Sequence, residues 1–265
     1  MMKSWAEMAK LTPEQEKAPY AHFYYRPAPE FEPWNQKVLE QGSSLRPEDA
    51  ILAENISDML HPERIKAESG YCVLPDGTGY VAVLHRWPGI TMDMYNFWNA
   101  WWTKEDSETR YKIWCPGKHV GAFFTYTSED IGGNLEEIYF GGSVRQDPSL
   151  LGLNLEEMKK SNCVMTDGGN ALSKTYGAGE QVPPTAGVVC HFMYQEEDGL
   201  PMRSRFWFGY QVLGGGLVKM LAPGTRVSES MLKGIFEHNV LEMACLRDLL
   251  PPLYKQEVLD KQEKE

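Results

Sequence analysis

The sequence predicts an α+β fold in which an antiparallel sheet grips one long C-terminal helix. Three observations carry the prediction. β-rich runs punctuated by Gly, Asn and Asp turns fill most of 70–213. A single long helical pattern with two adjacent apolar stripes covers 228–250. The first 66 residues hold short helical segments interrupted by prolines.

Within residues 1–66, Thr12-Pro13-Glu14-Gln15, Arg46-Pro47-Glu48-Asp49 and His61-Pro62-Glu63 open helical stretches, and Arg26-Pro27-Ala28-Pro29 with Glu32-Pro33 forms an extended linker. This region is an N-terminal helical arm and not a separate domain. The main domain covers 67–255, and 256–265 is a charged tail that frays. Tyr71-Cys72-Val73-Leu74 and Tyr80-Val81-Ala82-Val83-Leu84 flank a Pro-Asp-Gly-Thr-Gly turn and form a hairpin. An aromatic helix follows from Met92 to Trp102, too crowded with aromatics for one stripe and therefore buried on more than one side. Strands are expected at 111–114, 120–127 and 135–140, with Ile131-Gly132-Gly133-Asn134 as a tight turn. Residues 143–185 read as loop with one short helix at 155–160. Two more strands, 187–195 and 202–213, join through Glu196-Glu197-Asp198-Gly199, and Gly214-Gly215-Gly216 is a loop. The last helix stops at Pro251-Pro252.

Composition removes several function classes. The 265 residues carry 26 Lys plus Arg against 37 Asp plus Glu, a formal charge of -11. An acidic chain without a basic stripe lacks the phosphate contacts that supply most nucleic-acid affinity, and it is repelled by anionic membrane surfaces. No segment has the ~20 consecutive apolar residues of a membrane span, and the N-terminus has no signal-like apolar run. The five cysteines are odd in number, widely spaced and free of C-x-x-C, as expected for free thiols in a reducing cytoplasm. P-loop, dinucleotide and nucleophile-elbow patterns are absent.

The chemistry is concentrated in the last helix. Ser228, Met231, Ile235, His238, Glu242, Cys245 and Leu249 recur at three- and four-residue steps and share a face. His238 and Glu242 therefore sit inside the apolar arc, where an unpaired carboxylate costs several kcal/mol. One turn apart, they can bind a single metal ion, or they can form a hydrogen-bonded pair at a helix–sheet interface; the spacing allows both. Of the other histidines, His22 and His61 belong to the arm surface, His85 ends a strand and lines a loop, His119 stands at the mouth of a strand, and His191 lies inside the apolar run Val188-Val189-Cys190-His191-Phe192.

A set of segments in order resembles a known family. They are Trp87-Pro88-Gly89-Ile90-Thr91 with 98–102, Arg110-Tyr111-Lys112-Ile113-Trp114 through Pro116 to His119, and Glu129-Asp130-Ile131-Gly132-Gly133. Arg203-Ser204-Arg205-Phe206-Trp207-Phe208-Gly209 follows, then His238 to Glu242 with 249–254. Together they resemble the 2,4-diacetylphloroglucinol hydrolase family, which includes phloretin hydrolases. The resemblance runs over about 70–255 and implies a helix-grip, START-like fold and a zinc-dependent hydrolase. Such an enzyme cleaves the carbon–carbon bond between an acyl carbonyl and a phloroglucinol-type ring, so its partner is a small aromatic ketone. It implies His119, Glu129, His238 and Glu242 as Zn²⁺ ligands, and Tyr111 and His191 as groups that contact the ring. Trp98, Trp101, Trp114, Phe123 and Phe206 are candidates for an aromatic wall.

Two departures from the family pattern stand out. His119 and Glu129 are only ten residues apart, where the family has a much longer segment. Along a straight strand, at ~3.3 Å per residue, that is roughly 33 Å. Either the chain folds back near Gly121, or another residue takes the place of Glu129, with Glu137 the obvious substitute. Ala122 replaces a substrate-contacting Asn. A metal-free helix-grip protein that binds flavonoids or aromatic polyketides, and a different enzyme acting on phenolic polyketides, are the competing readings. An arm of this kind commonly packs across a two-fold interface, so a homodimer is expected.

Overall fold

The computed structural model describes residues 4–125, 131–136, 140–144, 148–161, 163–173, 185–214 and 216–263. Its centre is a five-stranded antiparallel sheet. The strands are β1 (Gly70–Val73), β2 (Gly79–His85), β6 (Cys163–Ser173), β7 (Thr185–Tyr194) and β8 (Met202–Phe208), in the order β1-β2-β8-β7-β6. A second sheet holds β3 (His119–Thr125), β4 (Ile131–Glu136) and β5 (Phe140–Val144) in that order, and β9 (Tyr210–Leu213) pairs with β10 (Gly216–Lys219) as a hairpin. The β1–β2 turn is shaped by Asp76, whose carboxylate accepts from the Thr78 amide and hydroxyl, and by Gly77. Gly77 has φ +89°, and a Cβ there would collide with the Thr225 carbonyl.

Alternation divides the central sheet into two faces. One carries Tyr71, Val81, Val83, Phe206 and Phe208 against Met231, Leu232, Ile235, Phe236 and Val240 of the long helix α6 (Glu229–Tyr254). The opposite face carries Tyr80, Ala82, Val188, Cys190, Phe192 and Trp207 against the arm residues Leu45, Ile51, Ala53, Ile56, Met59 and Leu60. The fold is thus α+β, a helix-grip arrangement with α6 on one side of the sheet and residues 45–60 of the arm on the other, while Tyr20, Phe31 and Val38 of the arm pack on the α6 side.

The arm contains α1 (Trp5–Met8), α2 (Pro33–Gln41) and a series of 3-10 turns. Thr12 and Gln15 bond reciprocally, each amide to the other's side chain, in a capping box. Pro33, expected in a linker, opens α2 at its first position, where the missing N–H costs nothing. Arg26 ties the arm to the body: its guanidinium donates to the carbonyls of Phe23, Ile113, Trp114 and Cys245 at 2.6–3.2 Å.

The aromatic helix α3 spans Met92–Trp102 as expected, with a Thr91 cap. Residues 111–114 are not a strand. They end helix α4 (Ser107–Trp114), whose Glu108–Lys112 pair at 2.9 Å has the spacing of one helical turn. Gly132 and Gly133 are not a turn either; they lie within β4, which is held by partners on both sides. The loop-rich stretch does contain the expected short helix, α5 (Leu155–Lys160), capped by Asn154, but β6 runs directly after it. The 202–213 strand is interrupted at Gly209 and becomes β8 and β9. α6 continues through Pro251 and Pro252 to Tyr254, because Leu249, Leu250 and Leu253 are fully buried beside α3 and anchor the last turns. Beyond it, Lys255–Leu259 and Asp260–Gln262 remain helical. No described helix is long and apolar enough to cross a membrane.

Candidate metal centre

Three side chains from two segments converge beneath the sheet. His238 and Glu242 lie one turn apart on α6, and His119 begins β3. His119 Nε2 and His238 Nε2 each lie 3.5 Å from the same oxygen, Glu242 Oε2. One ligand atom from each of the three falls within 4.8 Å of the others, and His119 is fully buried.

The local sequence explains how His119 arrives there. α4 ends at Trp114, and a tight turn follows in which Lys118 N and His119 N both donate to the Cys115 carbonyl, with Gly117 at φ +80°. The turn reverses the chain so that His119 returns to the helix it has just left. Its Nδ1 lies 3.1 Å from the Tyr111 carbonyl. A carbonyl only accepts, so Nδ1 carries a hydrogen, and in the neutral ring Nε2 carries the lone pair. Trp114 closes the other side: its ring meets His119 edge-on at 4.9 Å, and its Nε1 donates to the Glu242 carbonyl at 2.9 Å.

These donors fit a divalent cation. A lone pair on Nε2 facing a carboxylate oxygen is repulsive unless a proton or a metal ion lies between them. Two donors bound to one tetrahedral zinc at ~2.1 Å are ~3.4 Å apart, close to the spacing seen for both histidines. The Nδ1–H to carbonyl bond of His119 is the outer support typical of a metal-binding imidazole. Burial pushes the Glu242 carboxyl up, but His238 and His119 outweigh it through charge and hydrogen bonding and hold the carboxyl below its ordinary range. The group is therefore a carboxylate, the form in which it binds a cation.

Glu129 and Glu137 lie outside the described residues. What is described is the path of the hairpin. β3 runs from His119 to Thr125 with no reversal at Gly121, and β4 returns so that Glu136 pairs with His119. Tyr111 is fully buried, with its ring flat against that of His119. His191 faces the helix side of the sheet and shares a 2.8 Å hydrogen bond with Ser204, its cross-strand partner on β8. Phe206 meets the His191 ring edge-on at 6.2 Å. Trp98 and Trp101 are core residues, Trp114 is half-buried against His119, and the Phe123 side chain is outside the described set.

His85 does not line a loop. It is fully buried on the helix face, in phase with Val81 and Val83, and its Nε2 lies 3.1 Å from Asn239 Oδ1. Asn239 Nδ2 in turn donates to Glu242 Oε1 at 3.0 Å. The period-two pattern Val81–Val83–His85 is the sequence signal that could have placed His85 indoors. Nothing local signals Ser204, which is identified only through the β7–β8 register.

The family model described as the DAPG hydrolase PhiG domain matches residues 51–255. The chain is 27% identical over 258 residues to the phloretin hydrolase of Eubacterium ramulus, covering 92% of each protein. It is 25% identical over 234 residues to the 2,4-diacetylphloroglucinol hydrolase of Pseudomonas protegens, covering 77% of this chain and 73% of that one. A 2,4-diacetylphloroglucinol hydrolase from a Pseudomonas species matches at the same identity, over 77% of this chain and 76% of its own length. One model thus runs from the last turns of the arm to the end of α6 and takes in His119, His238 and Glu242, so the chain belongs to the DAPG hydrolase family.

Proposed function

We propose that the chain is a zinc-dependent hydrolase that cleaves the carbon–carbon bond between an acyl carbonyl and a polyhydroxylated aromatic ring. The observation that carries this reading is the convergence of two imidazole nitrogens on one buried carboxylate oxygen, in a chain whose relatives are named as hydrolases of such compounds. His119, His238 and Glu242 are the ligands drawn from the described residues. The β3–β4 register brings the chain back to His119 at position 136, which supports a fourth carboxylate from the end of β4, Glu136 or its neighbour Glu137, over Glu129.

Zinc in such a site supplies a Lewis acid for the acyl carbonyl and lowers the pKa of a water toward 7. The residues of this chain do the rest. Tyr111 and His191 hold ring hydroxyls, and the Ser204 hydroxyl, 2.8 Å from Nδ1, fixes the orientation of the His191 ring. A phenolic ring protonated on carbon adopts a keto form, and His191 is the group suited to deliver that proton. The bond between ring and acyl carbon then breaks as in a retro-Claisen reaction: water's hydroxyl ends on the acyl carbon, giving a carboxylic acid, and a hydrogen ends on the ring carbon. Trp114 and Phe206 keep bulk water from the two histidines that they abut.

Elemental mass spectrometry of the purified protein, beside His238→Ala, tests the reading. About one zinc per chain, lost in the variant, with carboxylic acid released from an acylphloroglucinol only by the wild type, is expected. No metal in either sample after zinc is supplied would overturn it and favour a metal-free binder of aromatic polyketides.

A further inference from the structure

We propose that Asn239 and His85 are positioning residues for the metal centre: a hydrogen-bonded chain from His85 through Asn239 occupies Oε1 of Glu242 and leaves Oε2 as its only ligand atom. The inference rests on the zinc reading above and adds to it the part of the fold that sets how Glu242 binds.

The direction of every hydrogen in the chain follows from one end. Asn239 Nδ2 donates to Glu242 Oε1 at 3.0 Å, the direction required of a Glu242 that binds a cation through its other oxygen. The orientation of the amide is thereby fixed, and its oxygen faces His85 Nε2 at 3.1 Å. That oxygen also only accepts, so His85 carries its hydrogen on Nε2. The remaining ring nitrogen, Nδ1, is fully buried with no hydrogen-bond partner among the described residues. A lone pair tolerates that position better than an N–H would. Burial also pushes the His85 ring down to about 4, so it is neutral at pH 7. The result is a neutral chain with one sense: imidazole N–H to amide oxygen, amide N–H to carboxylate.

The arrangement has consequences for an ion bound by Glu242. The terminal torsion of a glutamate is broad and leaves the carboxylate free to turn. A donor on Oε1 fixes the plane and holds Oε2 toward the two histidines, which it meets at 3.5 Å each. With Oε1 engaged, Glu242 binds through one oxygen, and the coordination position that a second would take stays open for water or substrate. The donor is a neutral amide, so the full negative charge stays on the carboxylate, whereas an Arg or Lys in that place would draw part of it off. The chain also joins the end of β2 to α6 across 154 residues, fixing the helix against the sheet beside His238.

Zinc affinity, measured by competition with a chromophoric chelator, and the 15N NMR signature of His85 in metal-free protein test the proposal together. The wild type should show His85 hydrogen on Nε2. Asn239→Leu and His85→Leu should each weaken zinc binding about 10–100-fold, while His85→Gln, which retains a donor near the Nε2 position, should stay within about threefold of wild type. Hydrogen on His85 Nδ1, or zinc binding by Asn239→Leu as tight as in the wild type, overturns the positioning role. Should Asn239→Leu fail to fold, the His85→Gln and His85→Leu pair and the His85 spectrum still decide: equal affinities in the pair overturn the role. A wild type that takes no zinc overturns the metal reading itself, an outcome distinct from a zinc-binding wild type with unaffected variants.

Discussion

The ring of His119 lies flat on the ring of Tyr111, centroids 4.0 Å apart and 14° from parallel, while its Nδ1 donates to the backbone carbonyl of that same residue. One residue therefore orients the imidazole twice, by its main chain and by its side chain, and the proposed mechanism gives its phenol hydroxyl a separate task, a hydrogen bond to the substrate ring. Tyr111→Phe keeps both supports. It should retain zinc and stability but lose about 10–100-fold in kcat/KM, the worth of ~1.5–3 kcal/mol for a hydrogen bond to a charged group. Tyr111→Ala removes the stack and opens a cavity, and should lose zinc as well as ~3–5 kcal/mol of stability. Steady-state kinetics with metal analysis on both variants separates the two roles; full activity in Tyr111→Phe would remove the hydroxyl from the mechanism.

The β3–β4 register makes a second prediction. Of Glu129→Gln, Glu136→Gln and Glu137→Gln, a variant at the end of β4 should lose zinc, and Glu129→Gln should keep it. Zinc loss confined to Glu129→Gln would show that the ligand comes from residues before β4.

Glu68 accepts from Arg203 through both carboxylate oxygens and from Arg205 through one, at 2.6–3.0 Å, and joins the start of β1 to β8. Burial raises its carboxyl, but the two arginines outweigh that and hold it below its ordinary value of 4.5. The folded state therefore binds this proton less readily than the unfolded chain does. The stabilisation is complete above about pH 4.5 and is lost as pH falls through the lowered folded value. Glu68→Gln should cost about 2 kcal/mol at pH 7, less than a fully buried pair because 32% of the side chain is wet. It should also flatten the loss of stability below pH 4.5. Urea midpoints at pH 7 and pH 4 for both proteins measure this.

All five cysteines are buried free thiols. Burial pushes Cys72 up to about 11 and Cys163 up to about 12, so neither is a thiolate at pH 8. Cys245 differs: Cys115 donates to it and the Arg26 guanidinium lies beside it, lowering its thiol in spite of burial. A disulfide reagent at pH 8 should label the native protein slowly, with Cys245 first and Cys72 and Cys163 last, and should titrate five thiols in denaturant. Mass spectrometry of peptides from a time course gives the order.

Much of the architecture was legible in the sequence because periodicity reports burial. The stripe that put His238 and Glu242 on one face of a buried helix is present in α6, and the aromatic helix at Met92–Trp102 has the bounds expected of it. The failures have local causes. Tyr111, Ile113 and Trp114 have strand-forming side chains, yet the polar Ser-Glu-Thr-Arg before them starts a helix that carries them along. Gly132-Gly133 and Asp167-Gly168-Gly169-Asn170 have turn composition, but cross-strand pairing holds both in strands. The His85–Asn239–Glu242 chain was out of reach, since it requires knowing that the end of β2 lies against the middle of α6.

The Arg26 guanidinium joins carbonyls that are 3, 87, 88 and 219 residues away in the chain. A ribosome releases Arg26 long before it makes Cys245. The emerging arm therefore lacks its tie to α6 until Cys245 is made, and its apolar side chains, Ile51, Ile56 and Met59 among them, wait for β6, β7 and β8 of the sheet that covers them. The arm, made before the sheet and α6, is thus locked only after them. It is the segment that a chaperone would have to shield, and the one whose closure marks a finished molecule.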